Sequence, residues 1–240
     1  MSPQAMGTSV AFGNPSAASN DMPGAYPAPM VEVPERYRTR SVRGLQLAFR
    51  RMGGDASKPF IDVFADALPG LDRLRSAIAQ EWPGVHVVRI LCRDTPHPSA
   101  IADQHVLWGN ARELARLPSI PIPRGYRLSL RNTRVIAEGP NGWAGVVVSE
   151  PGTIDRFAGE VMQELFVAPD DRGVGLGAAM QRFLIDSLED EDDLIGTILA
   201  TNAPSLATAK RCGRTIVATY WWVPLAESTW LDELDPRATG

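Results

Sequence analysis

The spacing of apolar positions predicts helices and strands in mixed order from about residue 45 onwards. Spacings of three and four, which are typical of helices, occur over residues 60–82, 98–117 and, most clearly, 176–188. Closer alternation predicts strands, and the Gly-Pro-Asn-Gly turn at residues 139–142 predicts a hairpin. The predicted strands are residues 86–92, 126–138, 143–149, 161–167, 194–201 and 215–223, and a further short helix is predicted over residues 205–212.

The beginning of the chain has a different composition. Residues 1–31 contain one charged side chain, Asp21, and residues 1–34 hold six of the 20 prolines. Such a segment has too little apolar surface to offset the entropy lost on ordering. We therefore predict a disordered tail over residues 1–35, with a targeting signal as the alternative. A helical extension is predicted over 36–85, the main domain over 86–225 and a C-terminal tail over 226–240.

Composition and cysteine content limit the class of protein. Of the 240 residues 44% are hydrophobic and 22% charged, which is enough apolar material for a sizeable core. No apolar run approaches the roughly 18 residues that span a bilayer, and no basic patch followed by an apolar stretch predicts a secretory signal. Two cysteines, Cys92 and Cys212, fit a reducing compartment. The sequence therefore predicts a cytoplasmic protein that has no membrane partner.

The charge of the chain is unevenly distributed. The net charge is −4, which argues against a dedicated nucleic-acid binder. Residues 151–240 hold 15 acidic and 7 basic side chains, whereas residues 1–150 hold 13 and 17. Only two of the 24 basic residues are lysines, a bias that we attribute to a GC-rich, bacterial genome. The acidic run at residues 189–193 is interpreted as a solvated turn, with recognition of a cationic substrate as the alternative.

A glycine-rich turn before the clearest helix carries the candidate chemistry. Residues 167–178 read Val-Ala-Pro-Asp-Asp-Arg-Gly-Val-Gly-Leu-Gly-Ala, so a predicted strand ends and the glycines open the helix. Glycines there let backbone amides face outward, and with the helix N-terminus they form an anion site. Arg172 adds a positive charge suited to phosphate oxygens. The segment predicts binding of a ligand that contains a pyrophosphate.

Two common nucleotide-binding motifs fit this segment poorly. Gly173, Gly175 and Ala178 match the dinucleotide fingerprint, but residues 169–172 lie between the strand and the first glycine. That fingerprint also requires an acidic residue at the end of the next strand, where this chain has Thr201 and Asn202. A Walker-type loop is excluded because no Lys-Ser or Lys-Thr pair follows the glycines.

The same segment resembles the acyl-CoA-binding motif of the GNAT superfamily of N-acyltransferases. In that family a strand and a Val-x-Pro turn precede Arg-x-x-Gly-x-Gly, and Arg172, Gly175 and Gly177 fall on the pattern without a gap. A second similarity lies downstream, where the family has an Asn after the next strand and then a helix that ends in Gly. Here these are Asn202 and Gly213. The resemblance covers residues 126–223 well and 86–125 loosely, and it implies an α/β GNAT fold with a mixed, mostly antiparallel sheet.

The resemblance also implies a cofactor site and a reaction. Acetyl-CoA or another acyl-CoA would be the co-substrate, with an amine of unknown identity as acceptor and no metal. The amides of residues 172–178 would hold the pyrophosphate, and the strand end at Val167 would pair with the pantetheine arm. A backbone N–H near Val167 would polarise the thioester carbonyl, and Asn202 would bind the pantetheine arm. The implied cofactor-binding residues are Phe166, Val167, Arg172, Gly173, Val174, Gly175, Leu176, Gly177, Ala178, Asn202 and Ser205.

The catalytic residues are less well marked. Glu164 is the candidate base that takes a proton from the amine, and a solvated or arginine-paired carboxylate is the alternative. Gln163, predicted on the opposite face, is a candidate for contact with water or substrate. Where many family members have a tyrosine that protonates the thiolate, this chain has Ala209. Tyr220 is the candidate replacement; Ser205, otherwise a helix N-cap, and Cys212, otherwise a buried apolar residue, are the other two.

Two classes of function remain open at this point. The first is an N-acyltransferase in which the amine attacks the thioester directly. The resemblance to the GNAT superfamily also leaves a homodimer possible. The second is a CoA-binding regulatory or partner-binding protein with a degenerate catalytic site, which the alanine at position 209 motivates. His86, His97 and His105 are separated by 11 and 8 residues without a cysteine pair, which is no metal-binding signature.

Overall fold

One mixed sheet forms the centre of the part of the protein that is described. The computed structural model describes residues 39–65, 67–226 and 229–234. The strands are β1 (Thr39–Val42), β2 (Leu45–Arg51), β3 (Pro59–Phe64), β4 (Val87–Cys92), β5 (Ile101–Asn110), β6 (Arg127–Arg131), β7 (Arg134–Gly139), β8 (Gly142–Ile154), β9 (Phe157–Val167), β10 (Asp193–Leu199) and β11 (Thr215–Pro224). The α-helices are α1 (Leu71–Glu81), α2 (Ala111–Ala115), α3 (Leu176–Ile185), α4 (Ala203–Arg211) and α5 (Thr229–Asp232), and 3-10 turns occur at Met52–Gly54 and Pro169–Asp171.

The strand order shows that distant parts of the chain share the sheet. Across the sheet the order is β1-β2-β3-β4-β11-β5-β10-β9-β8-β7-β6. Only β3–β4 and β9–β10 are parallel among these described neighbours, and all the other pairs are antiparallel. The predicted α/β fold with a mixed, mostly antiparallel sheet and flanking helices is confirmed.

Helices α1 and α3 cover separate parts of the sheet. Leu74 and Ile78 of α1 are buried against apolar residues of β2, β3 and β4. Leu176, Met180 and Leu184 of α3 are buried against strands β7 to β10. Each fully buried side chain of this size contributes about 1.5–3 kcal/mol. The spacing of four in α3 is the pattern that the sequence showed, and the helix begins where it was predicted.

Residues 36–85 do not form the predicted helical extension. The described residues of this range form three strands, β1 to β3, and the single helix α1, and all three strands join the main sheet. In β3 the neighbours Phe60 and Ile61 are both completely buried. A short apolar run of this kind cannot be distinguished from a buried helix by periodicity. The prediction was wrong because β3 is a strand buried on both faces, and its apolar run carries no alternation that would distinguish it from a helix.

The predicted helix over residues 98–117 is also corrected. Its centre is strand β5, and only the five residues of α2 are α-helical. β5 lies between β10 and β11, so both of its edges are paired, and Val106 and Leu107, which point to opposite faces, are each fully buried. A central strand therefore showed adjacent apolar residues that also fitted a loose helical stripe.

The other predicted elements differ mainly at their boundaries. The strand predicted over residues 126–138 is divided into β6 and β7 by a turn at Asn132, whose φ is 56°. The hairpin at residues 139–142 is present as β7–β8. The predicted disordered tail, residues 1–35, lies outside the described residues, and the described part of the predicted C-terminal tail includes α5. No helix within the described ranges is long and apolar enough to cross a membrane.

Candidate functional site

A wedge-shaped cleft opens between the parallel strands β9 and β10. The two strands pair only over residues 160–161 and 194–195. Beyond these pairs β9 continues to Val167 beside β8, and β10 continues to Leu199 beside β5. We call the space bounded by residues 162–167 and 196–199 the inter-strand cleft. Because the two strands no longer pair with each other there, an extended ligand can bond to their backbone groups as an added strand would.

A β-bulge in β9 lies at the inner part of this cleft. The register of β9 against β8 skips one residue, Gln163, between the pairs formed by its neighbours. A bulge leaves its extra residue outside the ladder and redirects nearby side chains. Gln163 and Glu164 are both exposed, and the Gln163 amide donates to Glu150 at 3.0 Å between Nε2 and Oε1. The bulge therefore interrupts the regular alternation from which Gln163 and Glu164 were predicted to lie on opposite faces.

Glu164 faces the side of the sheet that α3 does not cover. Methyl carbons of Leu165 and Val167 lie 3.5 and 3.6 Å from the position that a Cβ on Gly177 of α3 would occupy. Because side chains alternate along a strand, Glu164 and Phe166 point to the opposite side. The candidate base therefore lies where an acceptor can approach without crossing α3.

An aromatic pair and an arginine border the cleft mouth. The Phe166 ring stacks on Trp143 with 5.6 Å between centroids and 15° between planes. The Arg172 guanidinium carbon lies 5.8 Å from the Phe166 centroid, and its Nε donates to the Val167 carbonyl at 3.0 Å. Trp143 is 55% exposed. The sequence did not predict a role for Trp143, because the alternation of apolar and polar residues in β8 does not distinguish an aromatic residue beside a cleft from one at the end of a strand.

The glycine turn presents unused backbone amides beside the cleft. Gly173 and Gly175 have φ values of 82° and 88°, and Gly175 is the N-cap of α3. In the described chain no amide of residues 173–178 donates to a turn or cap hydrogen bond. The Arg172 amide, by contrast, donates to the Pro169 carbonyl at 3.3 Å. The predicted set of seven amides therefore contains six that can bind an anion, at the positive end of a helix dipole.

Two contacts anchor the turn that precedes α3. The Ala168 amide donates to the Ala144 carbonyl at 2.9 Å. The Tyr126 hydroxyl donates to Asp171 Oδ1 at 2.7 Å, and this hydrogen bond raises the pKa of Tyr126. The chain is thus fixed to β8 and to the start of β6 just before the free amides. Such a preformed turn loses little entropy when an anion binds.

A second cation at the turn was not predicted. The Arg211 guanidinium, at the end of α4, lies 3.7 Å from the position that a Cβ on Gly175 would occupy. Arg211 therefore places a second cation next to the glycine turn, in addition to Arg172. The only sequence signal for this cation was weak. Lys210 and Arg211 form a basic pair at the end of the helix of the second motif, but lysine and arginine are common at helix C-termini because they interact favourably with the helix dipole.

Asn202 and Ser205 lie together where β10 ends. Asn202 is the N-cap of α4, and its Oδ1 accepts a hydrogen bond from the Ser205 amide at 3.2 Å. Helix α4 therefore begins at Ala203, two residues before the predicted start, and Ser205 is not the N-cap. Cap formation uses the side-chain oxygen of Asn202, whereas its NH2 group remains a donor for a ligand. The contact of Asn202 with a pantetheine arm stays a prediction.

Tyr220 and Cys212 lie away from the cleft. Tyr220 belongs to β11, which is three strand spacings, or about 14 Å, from β9. Its ring centroid lies 4.8 Å from the Arg89 guanidinium carbon. Cys212 is buried beneath α3, and desolvation raises the pKa of its thiol to about 11. Ala209, at the position expected for a tyrosine, is completely buried.

The histidines form no metal site in the described ranges, where no group of three or more metal-binding side chains occurs. His105 Nδ1 is 2.9 Å from the Thr219 hydroxyl. Burial lowers the pKa of His105, and the charge of Lys210 lowers it further. His105 is therefore part of the packing between β5 and β11.

Comparison with known proteins identifies the fold. No family model matches the chain, and no curated protein matches it by sequence. Among solved structures, a GCN5-related N-acetyltransferase from Sphaerobacter thermophilus superposes with a TM-score of 0.51, at 9% identity over 77% of this chain and 78% of that one. A GCN5-related N-acetyltransferase from Kribbella flavida gives a TM-score of 0.49, at 11% identity over 81% and 92% of the two chains.

Proposed function

Because this chain has the GNAT fold, we propose that it is an acyl-CoA-dependent N-acyltransferase that transfers an acetyl or other short acyl group to an amine. One observation carries the proposal: two parallel strands separate beside a turn that offers six free amides and two arginines. The amides suit a pyrophosphate, and the open strand edges suit the amide-containing arm of CoA. A polyanionic co-substrate can therefore bind within an acidic part of the chain, because the positive groups are local.

Different residues of the cleft have different roles in the proposed reaction. Bound acyl-CoA supplies the thioester. The glycine turn, Arg172 and Arg211 hold the phosphates, and the edge of β9 aligns the arm toward the bulge. A backbone amide at the bulge polarises the thioester carbonyl, as an oxyanion hole does. Glu164, on the open face, accepts the proton of the attacking amine, directly or through water.

In our proposal, protonation of the leaving thiolate uses neither residue 209 nor Tyr220. Ala209 carries no proton donor, and Tyr220 is separated from β9 by β10 and β5. A CoA thiol resembles a cysteine, with a pKa of about 8.5, so its thiolate is a tolerable leaving group at neutral pH. Water in the exposed cleft mouth can then supply the proton.

A CoA-binding protein without turnover is the second candidate function. The buried alanine at position 209 favours it, because the fold keeps the cleft and lacks the usual acid. Incubation with acetyl-CoA and a panel of amines, with free thiol as the readout, separates the two candidates. Turnover of any amine above the hydrolysis background excludes the second.

Calorimetry with CoA tests the site itself. We expect binding in the micromolar range or tighter, and we expect Arg172→Ala combined with Gly175→Asp to abolish it, because a cation is lost and a carboxylate is placed among the phosphate-binding amides. The absence of CoA affinity in the unmodified protein would exclude both candidate functions.

A further inference from the structure

A buried arginine lies behind the inter-strand cleft without a counter-ion. Arg214 directly precedes β11 and is 2% exposed. Its Nη2 donates to the Leu107 carbonyl at 3.3 Å, and its Nη1 lies 3.5 Å from Gln181 Oε1 and 3.7 Å from the Met162 sulfur. Its Nε has no hydrogen-bond partner. These contacts are long and neutral, so a full positive charge is buried with weak compensation.

Arg89 is a second buried arginine, and its charge is compensated by carboxylates. Arg89 is also 2% exposed, and its Nε is 2.8 Å from Asp62 Oδ1 while its Nη1 is 3.4 Å from Asp103 Oδ2. Attraction to these carboxylates raises the pKa of Arg89 despite its burial. No carboxylate in the described ranges pairs with Arg214, and desolvation lowers its pKa to about 10. Among the described residues, Arg214 therefore has no carboxylate partner of the kind that Arg89 has.

The position of Arg214 indicates where an anion would come from. A Cβ on Gly196 would lie 2.9 Å from Arg214 Nη2 and 3.3 Å from the Met162 carbonyl. Met162 and Gly196 are the first residues beyond the last paired residues of β9 and β10. The guanidinium therefore lies beside Met162 and Gly196 on the face of the sheet, next to the closed end of the inter-strand cleft, where Gly196 contributes no side chain. It lies on the α3 side, opposite the face of Glu164.

We propose that the inter-strand cleft selects an acyl-CoA whose acyl group ends in a carboxylate, such as the monothioester of a four-carbon dicarboxylic acid, and that Arg214 binds this carboxylate. This inference rests on the proposed function. An arm that enters along β9 from the glycine turn places its acyl group deeper in the cleft, toward Met162 and Gly196. A four-carbon diacid extends about 4 Å beyond its thioester carbon, slightly more than the rise of one strand residue.

The reaction itself is unchanged by the distal carboxylate. The amine nitrogen forms a bond to the thioester carbon, the C–S bond breaks, and sulfur leaves as the CoA thiol after gaining the proton that the amine loses. The carboxylate stays ionised and ends in the product, an amide with a free acid group. Arg214 is thus a specificity residue that orients the acyl group and takes no part in proton transfer.

A pair of matched thioesters tests the inference. Succinyl-CoA and butyryl-CoA have acyl chains of equal length, and only the first ends in a carboxylate. We expect calorimetry to show succinyl-CoA bound about 10- to 100-fold more tightly than butyryl-CoA, the range of one or two charge-assisted hydrogen bonds. Equal affinities, or tighter binding of butyryl-CoA, would overturn the inference. A loss of affinity for CoA itself would instead overturn the proposed function, so the two failures are distinguishable.

Variants of Arg214 provide the second part of the test. Arg214→Met should fold, because replacing an uncompensated buried cation by an apolar group of similar volume is neutral or stabilising. We expect it to bind CoA and butyryl-CoA as the unmodified protein does and to lose the preference for succinyl-CoA. Arg214→Lys should keep part of the preference, because it keeps the charge. A preference that survives in Arg214→Met would assign the carboxylate to another group and overturn the role of Arg214.

Discussion

Replacement of Gly175 by alanine separates the anion-binding role of the turn from its structural role. Gly175 has a φ of 88°, and an added Cβ meets only Arg211 Nη1, at the ordinary contact distance of 3.7 Å. The fold can therefore accept the methyl group sterically. The left-handed backbone of a non-glycine residue destabilises the protein by about 1–2 kcal/mol. Gly175 is the N-cap of α3 and keeps this conformation in the folded protein, so the free energy of unfolding should fall by that amount.

The effect on CoA binding should exceed the effect on folding. The added methyl group would occupy the space between the turn and Arg211, where the proposed phosphate lies. The loss of one hydrogen bond to a charged group corresponds to about 1.5–3 kcal/mol, or an increase in Kd of roughly 10- to 150-fold. Calorimetric titration with CoA measures this change directly.

Gly54 offers a matched control. Its φ is 77°, and an added Cβ there has no atom within 4 Å. Gly54→Ala should therefore lower the free energy of unfolding, measured in urea, about as much as Gly175→Ala does, while CoA affinity stays unchanged. The argument is refuted if Gly175→Ala binds CoA within about two-fold of the unmodified protein, or if Gly54→Ala weakens binding equally, which would trace the loss to stability.

Three further changes test other parts of the structure. Glu164→Gln should lower kcat by about 10²- to 10⁴-fold at neutral pH and leave the Kd for CoA unchanged; an unchanged kcat would remove Glu164 from the mechanism. Arg89→Met should lower the free energy of unfolding in urea by about 3–5 kcal/mol, because it leaves buried carboxylates without a positive partner, whereas Arg214→Met should not lower it. An equal loss of stability in the two variants would contradict the contrast between the two arginines. His105 has a lowered pKa, so below its ordinary value of 6.5 the unfolded chain binds more protons and stability should increase with pH toward 6.5, then level off. Urea unfolding at about pH 5.5 and pH 7.5 should show this difference, and a difference that persists in His105→Gln would assign it to another group.

Local features were predictable from the sequence. The turn at residues 173–175 and helix α3 depend on glycines and on a spacing of four, and both kinds of signal act between near neighbours in the chain. The hairpin at residues 139–142 was predictable for the same reason. These elements also contain the motif from which the cofactor class was predicted, whereas the interior of the cleft depends on residues that are distant in the sequence.

Features that depend on distant partners were not predictable. Strand β5 was predicted as a helix because apolar residues occur on both of its faces, as in a central strand, and its partners β10 and β11 lie more than 80 residues away in sequence. The bulge at Gln163 depends on the register of β8 against β9. Arg214 is one of many arginines in the sequence, and only the packing of Leu107, Gln181 and Met162 around it shows that it is buried without a counter-ion.

The position of β11 in the sheet makes the folding of β1–β4 depend on the same strand as the folding of β5 and the strands of the cleft. β11 lies between β4 and β5 and pairs with both, although more than 100 residues separate it from either along the chain. During synthesis β4 and β5 therefore keep open edges until β11 has been made, and a chain with such long-range pairing folds slowly. Completion of the sheet then joins β1–β4 to the strands of the cleft in one cooperative unit. A nascent chain that lacks residues 215–224 would expose two hydrophobic strand edges, which makes it a substrate for chaperones.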